Sequence, residues 1–147
     1  MIREAITAEE IRAVAQFMTQ FEQATTFVKV DVDHTSKTYE SLIRSGAAVF
    51  FVMEEDGQMQ GGLGAIKSPD LHDGKLIAVE TFWFVSPQFR GKGTLLFNAF
   101  EKWAIGHGCQ KLAMVHLSDS YPGILRKLYK RRGYKLAEEH YIKEVML

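Results

Sequence analysis

The stretch VSPQFRGKGT, residues 85–94, decides how the rest of this chain is interpreted. An apolar and aromatic segment precedes it, and apolar residues at helical spacing follow it. Two glycines near a helix N-terminus let the backbone come close to a ligand, and the unpaired N–H groups there favour an anion. Arg90 and Lys92 add positive charge beside these groups. The stretch therefore predicts a strand, an anion-binding turn and a helix, with phosphate or pyrophosphate as the natural ligand.

This glycine-rich turn differs from two common nucleotide-binding motifs. No Gly-Lys-Ser/Thr sequence closes it, so it is not a P-loop, and it lacks the third glycine of the dinucleotide fingerprint. A Gly-x-Gly loop by itself is often only a tight turn, and this simpler interpretation stays open at this point.

Patterns on both sides of the turn predict an α+β fold. The N-terminal half predicts a short strand over 2–6, a helix that runs to about residue 22, a helix over 36–44, and three meander strands over 47–54, 58–67 and 75–85. The C-terminal half predicts a helix over 92–105, a strand over 111–117, a helix over 122–132 and a final strand over 134–146. The helix after the turn makes a right-handed parallel crossover. The sheet is therefore mixed, an antiparallel meander plus a βαβ unit, flanked by about four helices.

Composition limits the class of protein. The 147 residues carry 18 Lys plus Arg and 18 Asp plus Glu, a balance that argues against a nucleic-acid coat or a membrane-surface binder. The single cysteine, Cys109, excludes an internal disulfide framework and multi-cysteine zinc motifs. No apolar run approaches the length of a membrane span, and the first residues lack a signal-peptide core. We expect one domain over residues 1–147, in the cytoplasm, with no metal and no membrane partner.

A wider motif is more specific than the turn itself. Gln88-x-x-Gly91-x-Gly93 resembles the Gln/Arg-x-x-Gly-x-Gly/Ala motif of the GNAT superfamily of acyl-CoA-dependent N-acetyltransferases. Downstream, LYKRRGY at residues 128–134 is similar to that family's Leu-Tyr-x-x-x-Gly-Phe/Tyr segment. The predicted order of elements is also the family's, so the resemblance covers nearly the whole chain.

The resemblance implies acetyl-CoA as the acyl donor and an amine as the acceptor. In that family the coenzyme's pyrophosphate rests on the amides of the glycine loop, and the pantetheine arm lies along the preceding strand, here 83–85, where it splays from 111–117. Many relatives carry an asparagine after that second strand, and Ser118 or Ser120 stands in its place here. The implied coenzyme-binding residues are Phe84, Val85, Gln88, Phe89, Arg90, Gly91, Lys92, Gly93, Thr94 and Ser118.

Two residues match the family's acid–base positions. Glu80 stands where an acid on the strand often deprotonates the incoming amine, and Tyr129 matches the tyrosine that often protonates the leaving thiolate. An amine needs a base because its ammonium form cannot attack a thioester. A strand N–H near Phe84 or Val85 stabilises the oxyanion in this scheme. The alternatives are a solvated charge on an edge strand for Glu80 and a half-buried helix aromatic for Tyr129.

The acceptor is described only by the polarity of its neighbourhood. Asp31, Asp33 and His34 are predicted on the loop between the first two helices, where they either shape a site for a cationic amine or form a polar surface loop. The aromatic run 82–84 is a second candidate lining. Two rival functions remain: a non-catalytic acyl-CoA-binding regulatory module, and a toxin-like aminoacyl-tRNA acetyltransferase, which needs a basic face for RNA. Relatives often form dimers, so a homodimer is also expected.

Overall fold

The computed structural model describes residues 1–117 and 121–146. Ser118 and Ser120, the predicted substitutes for the family asparagine, lie outside these residues. The strands in the described part are β1 (Ile2–Glu4), β2 (Ala48–Glu55), β3 (Gln58–Pro69), β4 (Leu76–Val85) and β5 (Lys111–Ala113). The helices are α1 (Ala8–Met18), α2 (Val32–Arg44), α3 (Gly93–Gly106) and α4 (Pro122–Arg131), with 3-10 turns at Thr19–Gln23 and Pro87–Lys92.

The strands form one mixed sheet in the order β1-β2-β3-β4-β5. The first four strands are antiparallel neighbours, whereas β4 and β5 are parallel. A parallel pair needs a crossover, and α3 supplies it between β4 and β5. The predicted fold class, a meander plus a βαβ unit with about four helices, is confirmed.

The hairpin between β2 and β3 shows why the meander is set by local sequence. Asp56 and Gly57 both have positive φ, 52° and 76°. Two consecutive residues of this kind form the turn whose twist matches antiparallel strands, and Asp-Gly is a preferred pair for it. The turn thereby fixes the register in which β3 returns along β2.

Two apolar layers cover the two faces of the sheet. One layer lies under α3 and contains Leu96, Phe97 and Phe100. The other lies under α1 and α2 and contains Ile11 and Tyr39. Because both faces are covered, β2 is buried over six consecutive residues and shows no polar alternation there.

A β-bulge in β4 positions the predicted base. Gly64 pairs with Phe82, but the next residue of β3, Ala65, pairs with Glu80. Thr81 is therefore an extra residue in β4, and such a bulge reverses the alternation of side chains along the strand. Bulges of this kind re-aim side chains, and this one lies at the residue the sequence assigned to proton transfer.

Several predicted boundaries were wrong. The final strand over 134–146 is not formed: these described residues have neither helix nor strand. The strand predicted over 111–117 ends at Ala113, and α2 begins at Val32 rather than at residue 36. Apolar patterning marks a segment able to pair, but a strand also needs main-chain pairing, and these described residues pair with none of the five strands. No described helix has the length and apolarity needed to cross a membrane.

Candidate functional site

The candidate site is the gap that opens where β4 and β5 stop pairing, which we call the β4–β5 cleft. The two strands pair only from Ile77–Lys111 to Val79–Ala113. Beyond that point a cavity of about 90 Å³ lies between them and α4. Its lining residues are Phe21, Val28, Glu80, Thr81, Trp83, Val115, Leu117, Leu125 and Tyr129. The splayed strands that the resemblance implied are therefore present, and Glu80 and Tyr129 line one cavity.

Glu80 is a buried carboxyl group and not a solvated charge. The residue is only 5% exposed, so the alternative of a solvated edge-strand charge is wrong. Burial raises the pKa of Glu80 to about 8, although the N–H of Val115, 3.4 Å from Oε1, favours the charged form. A carboxyl group with such a pKa exchanges its proton near neutral pH, which is the range in which a general base works best.

Tyr129 holds its phenolic proton in the same cavity. Its hydroxyl donates to the carbonyl oxygen of Val115 over 2.8 Å. Burial raises the pKa of Tyr129 above its usual value, and the nearby charge of Glu80 raises it further. The ring lies 6.5 Å from Trp83 and 6.1 Å from Tyr134, between centroids. Tyr129 is thus both a packed aromatic and a proton-bearing group at the cleft.

The predicted anion-binding turn lies at the head of α3. The 3-10 turn Pro87–Lys92 leads directly into the helix, and Lys92 at the N-cap makes no side-chain hydrogen bond to it. The N–H of Gly93 donates to the carbonyl of Arg90 within this turn, and the helix dipole at an end without a side-chain cap favours an anionic ligand. Gln88, Gly91 and Thr94 are exposed along this turn.

The packing around Gly93 accounts for a glycine at the second glycine position of the motif. A Cβ there would lie 3.4 Å from Cγ2 of Val85 and 3.6 Å from Cζ2 of Trp83. A larger side chain would press on the last residues of β4, which border the cleft. The glycine therefore keeps the helix start close to the strand end.

The two cations of the turn are partly engaged by protein groups. Nζ of Lys92 lies 3.0 Å from Oε1 of Glu55. The Arg90 guanidinium lies 4.6 Å from the ring centroid of Tyr121, and its Nε donates to the carbonyl of Val85 over 3.4 Å. Arg90 therefore lies across the cleft from the end of β4 towards the start of α4. Phe89 is half-buried against the layer under α3.

Trp83 is a candidate binding residue. The sequence analysis identified it only from its place on the strand before the glycine-rich turn. Its indole Nε1 is buried and has no hydrogen-bond partner among the described residues. Buried donors in proteins are almost always paired, so an orphan donor beside a cavity calls for a ligand oxygen. The indole also lies within 3.8 Å of the Cβ position of Gly93. The helix start without a side-chain cap and the unpaired indole donor together fit an extended ligand with phosphate and carbonyl oxygens.

The main chain distinguishes Val85 from Phe84. The N–H of Ser86 donates to the carbonyl of Gln60 on β3. Because main-chain groups alternate in direction along a strand, we expect the N–H of Val85 to point away from β3, towards the cleft. Phe84 instead packs its ring against Phe17, in the layer under α1 and α2.

The polar residues predicted for the acceptor lie elsewhere. Asp31 is the N-cap of α2 and accepts from the N–H of His34. Asp33 pairs with Arg12 over 2.7 Å. None of these residues lines the cavity, whereas Phe21 and Val28 from the neighbouring segment do. Within residues 1–117 and 121–146, no cluster of three His, Cys, Asp or Glu residues has the arrangement of a metal site.

Comparison with known families gives a match over most of the chain. The model of the acetyltransferase (GNAT) family matches residues 14–134. A comparison with curated proteins gives no significant match.

Solved structures share the fold over nearly their full length. A transcriptional regulator from Bacillus halodurans has a TM-score of 0.78 at 17% identity, covering 99% of each chain. AAC(6')-Iy, solved with a bisubstrate analogue of CoA and acetylneamine, has a TM-score of 0.77 at 18% identity, covering 100% of this chain and 98% of the other. A ribosomal-protein-alanine N-acetyltransferase from Brucella melitensis has a TM-score of 0.70 at 19% identity, covering 99% of each chain. At these identities the likeness concerns the fold.

Proposed function

Because the chain belongs to the acetyltransferase (GNAT) family, we propose that it transfers the acetyl group of acetyl-CoA directly to a primary amine of a small molecule or peptide. The observation that carries this proposal is Glu80, a buried carboxyl group that shares a cavity with Tyr129 at the open edge of β4. The rest of the chemistry follows from the groups around that cavity.

Acetyl-CoA supplies the activated thioester, and the chain offers two kinds of group to hold it. The N–H groups at the start of α3, in the Gln88 to Thr94 turn, suit its pyrophosphate. The orphan indole N–H of Trp83 and the cleft-facing N–H of Val85 suit the carbonyl oxygens of its pantetheine arm and acyl group. Arg90 is placed to reach a phosphate by leaving Tyr121.

Glu80 acts as the general base in this proposal. A primary amine is mostly protonated at neutral pH and has no lone pair for attack. Glu80 with a pKa of about 8 accepts that proton, and its burial keeps the proton inside the cleft. The N–H of Val85 stabilises the charge that develops on the acyl oxygen. As the C–S bond breaks, Tyr129, whose hydroxyl has left the carbonyl of Val115, gives its proton to the departing thiolate, and the second proton lost by the acylated nitrogen restores the phenol.

The first experiment measures thiol release from acetyl-CoA against pooled amines. We expect turnover with at least one pool, and a loss of roughly a hundredfold or more in Glu80→Gln, the usual contribution of a general base. The exposed carboxylate Glu4 offers the matched control, since it lies on β1, at the edge of the sheet opposite β5, so Glu4→Gln removes a charge away from the cleft. Binding of acetyl-CoA without thiol release from any pool would instead support a non-catalytic module. Turnover with aminoacyl-tRNA alone would support the toxin-like alternative.

The dependence of the rate on pH tests the role of Glu80 directly. In the wild type, kcat/KM should rise with pH and level off near pH 8, where Glu80 loses its proton. In Glu80→Gln that midpoint should disappear, leaving only a rise towards the pKa of the free amine. The loss caused by the substitution is therefore largest below pH 8 and shrinks above it. The same midpoint in both proteins would remove Glu80 from the mechanism.

Three wider expectations also stay proposals. We propose that residues 1–147 form a single acetyltransferase domain, which the shared sheet under both apolar layers supports. We propose a homodimer, supported by the exposed apolar side chains of the tail, residues 135–146, which include Leu136 at 82% and Tyr141 at 93% exposure. A cytoplasmic location completes the proposal and is tested by cell fractionation.

A further inference from the structure

The walls of the cavity are apolar and aromatic. Phe21 and Val28 come from the segment between α1 and α2, Trp83 from β4, and Leu125 and Tyr129 from α4. Among the described residues, Glu80 is the one lining side chain that carries an acidic group. The cavity has a volume of about 90 Å³, and its apolar lining suits the stem of an amine whose nitrogen points towards Glu80.

Acidic residues close to the cavity in sequence are already engaged. The carboxylate of Glu22 accepts from the N–H of Val30 over 2.6 Å. Asp31 caps α2, and Asp33 pairs with Arg12. A second ammonium group on the acceptor would therefore compete with these contacts for the carboxylates of this segment.

The walls also disfavour a second charge on the acceptor. A second ammonium group on the stem would contact rings and aliphatic side chains such as those of Phe21, Val28 and Leu125. Moving such a group out of water and against apolar walls costs free energy, because no described lining carboxylate other than Glu80 pairs with it. An apolar stem would instead pack against these side chains.

We propose that the acceptor is a small primary monoamine on an apolar stem, and that amines carrying a second ammonium group are poor substrates. This inference rests on the proposed acetyl transfer and names its substrate class. It follows from the apolar walls, against which a second ammonium group would lose its hydration, and from the single described acidic lining group. The wall formed by Phe21 and Val28 is then the specificity-determining surface.

The test compares a monoamine with the diamine of the same carbon chain, and adds a monoamine with an aromatic stem. Thiol release from acetyl-CoA is measured at pH 8 with n-butylamine, butane-1,4-diamine and 2-phenylethylamine. We expect kcat/KM for n-butylamine to exceed that for the diamine by roughly tenfold to a hundredfold. We expect 2-phenylethylamine to match or exceed n-butylamine, because its ring can stack on Trp83 or Tyr129.

A substitution at the wall provides the second test. Val28→Asp places a carboxylate on the cavity wall at a half-buried position, so the kcat/KM ratio of diamine to monoamine should rise about tenfold. Phe27→Asp adds the same charge to the adjacent residue, which is 46% exposed and not part of the lining, and should leave the ratio unchanged. Thermal melting verifies that both variants fold.

The outcomes separate this inference from the proposed function. Equal or faster turnover of the diamine overturns the inference and leaves acetyl transfer standing. A ratio that rises equally in Val28→Asp and Phe27→Asp shows a general charge effect and also overturns it. No thiol release with any of the three amines or with the pooled amines overturns the proposed function, and the inference falls with it.

Discussion

The two sides of β4 are held in opposite ways. Towards β3 the pairing runs from Gly61–Val85 to Pro69–Leu76, interrupted only by the bulge. Towards β5 it covers three residue pairs and then stops at Val79–Ala113. The pairing with β3 is nearly continuous and holds β4 in place. On the side of β5 the pairing ends early, which leaves unpaired main-chain groups and the cavity. In this fold, the candidate chemistry lies where the pairing of strands ends.

The largest effect on stability is expected from a substitution on the side of β4 that pairs with β3. A Cβ at Gly64 would lie 2.7 Å from Cε1 of Phe50 and 2.9 Å from Oγ1 of Thr81. Phe50 is fully buried and stacks on Tyr39, so neither ring can easily move aside. We expect Gly64→Val to lower the free energy of unfolding by roughly 3–5 kcal/mol, measured by urea denaturation.

Gly106 supplies the matched control for Gly64. It ends α3, and a Cβ there would meet nothing within 4 Å. Gly106→Ala should therefore be neutral or stabilise the protein by about 0.5 kcal/mol, since alanine restricts the unfolded chain. Equal destabilisation by both substitutions would contradict the close packing around Gly64.

The same comparison explains how much the sequence could predict. The meander was predicted well because its signals are local: the Asp56-Gly57 turn and a continuous apolar strand. The cleft residues Glu80 and Tyr129 were identified through motifs rather than through periodicity. The bulge at Thr81 was not predicted, since it depends on the register between two strands. Nor could the sequence show that the indole N–H of Trp83 has no hydrogen-bond partner among the described residues, because that depends on what surrounds it.

The acceptor region shows the limit most clearly. Asp31 and Asp33 were candidates for an acceptor site because of their charge. In the structure Asp31 caps the start of α2, and Asp33 forms a salt bridge with Arg12. The apolar residues Phe21 and Val28 line the cavity instead, and they look like ordinary core residues in the sequence. An N-cap signal was available at Asp31, since aspartate is a preferred N-cap residue.

The buried Glu80 in the β4–β5 cleft predicts that the stability of the protein falls as the pH rises. The pKa of Glu80 is raised to about 8 in the folded protein, so the folded state binds its proton more tightly than the unfolded state. This contribution is most favourable below the unfolded pKa of about 4.3 and is lost as the pH rises through 8. We expect Glu80→Gln to be more stable than the wild type at pH 8 by roughly 4 kcal/mol, with little difference at pH 4.

Urea denaturation of both proteins between pH 4 and pH 9 measures this difference. Glu4→Gln serves as the control, because that carboxylate is exposed on β1, and the stability of this variant should follow the wild type at every pH. Parallel curves for the wild type and Glu80→Gln would mean that burial does not perturb Glu80, and the cleft would then be wetter than its lining indicates.

The smallest effect on monomer stability is expected in the tail, where a predicted strand has no partner. Leu136 is 82% exposed, so its side chain adds little to the packing of the monomer. In a homodimer the apolar tail side chains are covered by the second copy, since exposed apolar groups of this kind favour association. Leu136→Asp should therefore shift the dimer towards monomer in light scattering, while the unfolding of the monomer changes by less than about 0.5 kcal/mol. Ile6→Asp, at a position 71% exposed near the other end of the chain, should leave the dimer intact. A wild type that is monomeric at every concentration would contradict the proposed homodimer.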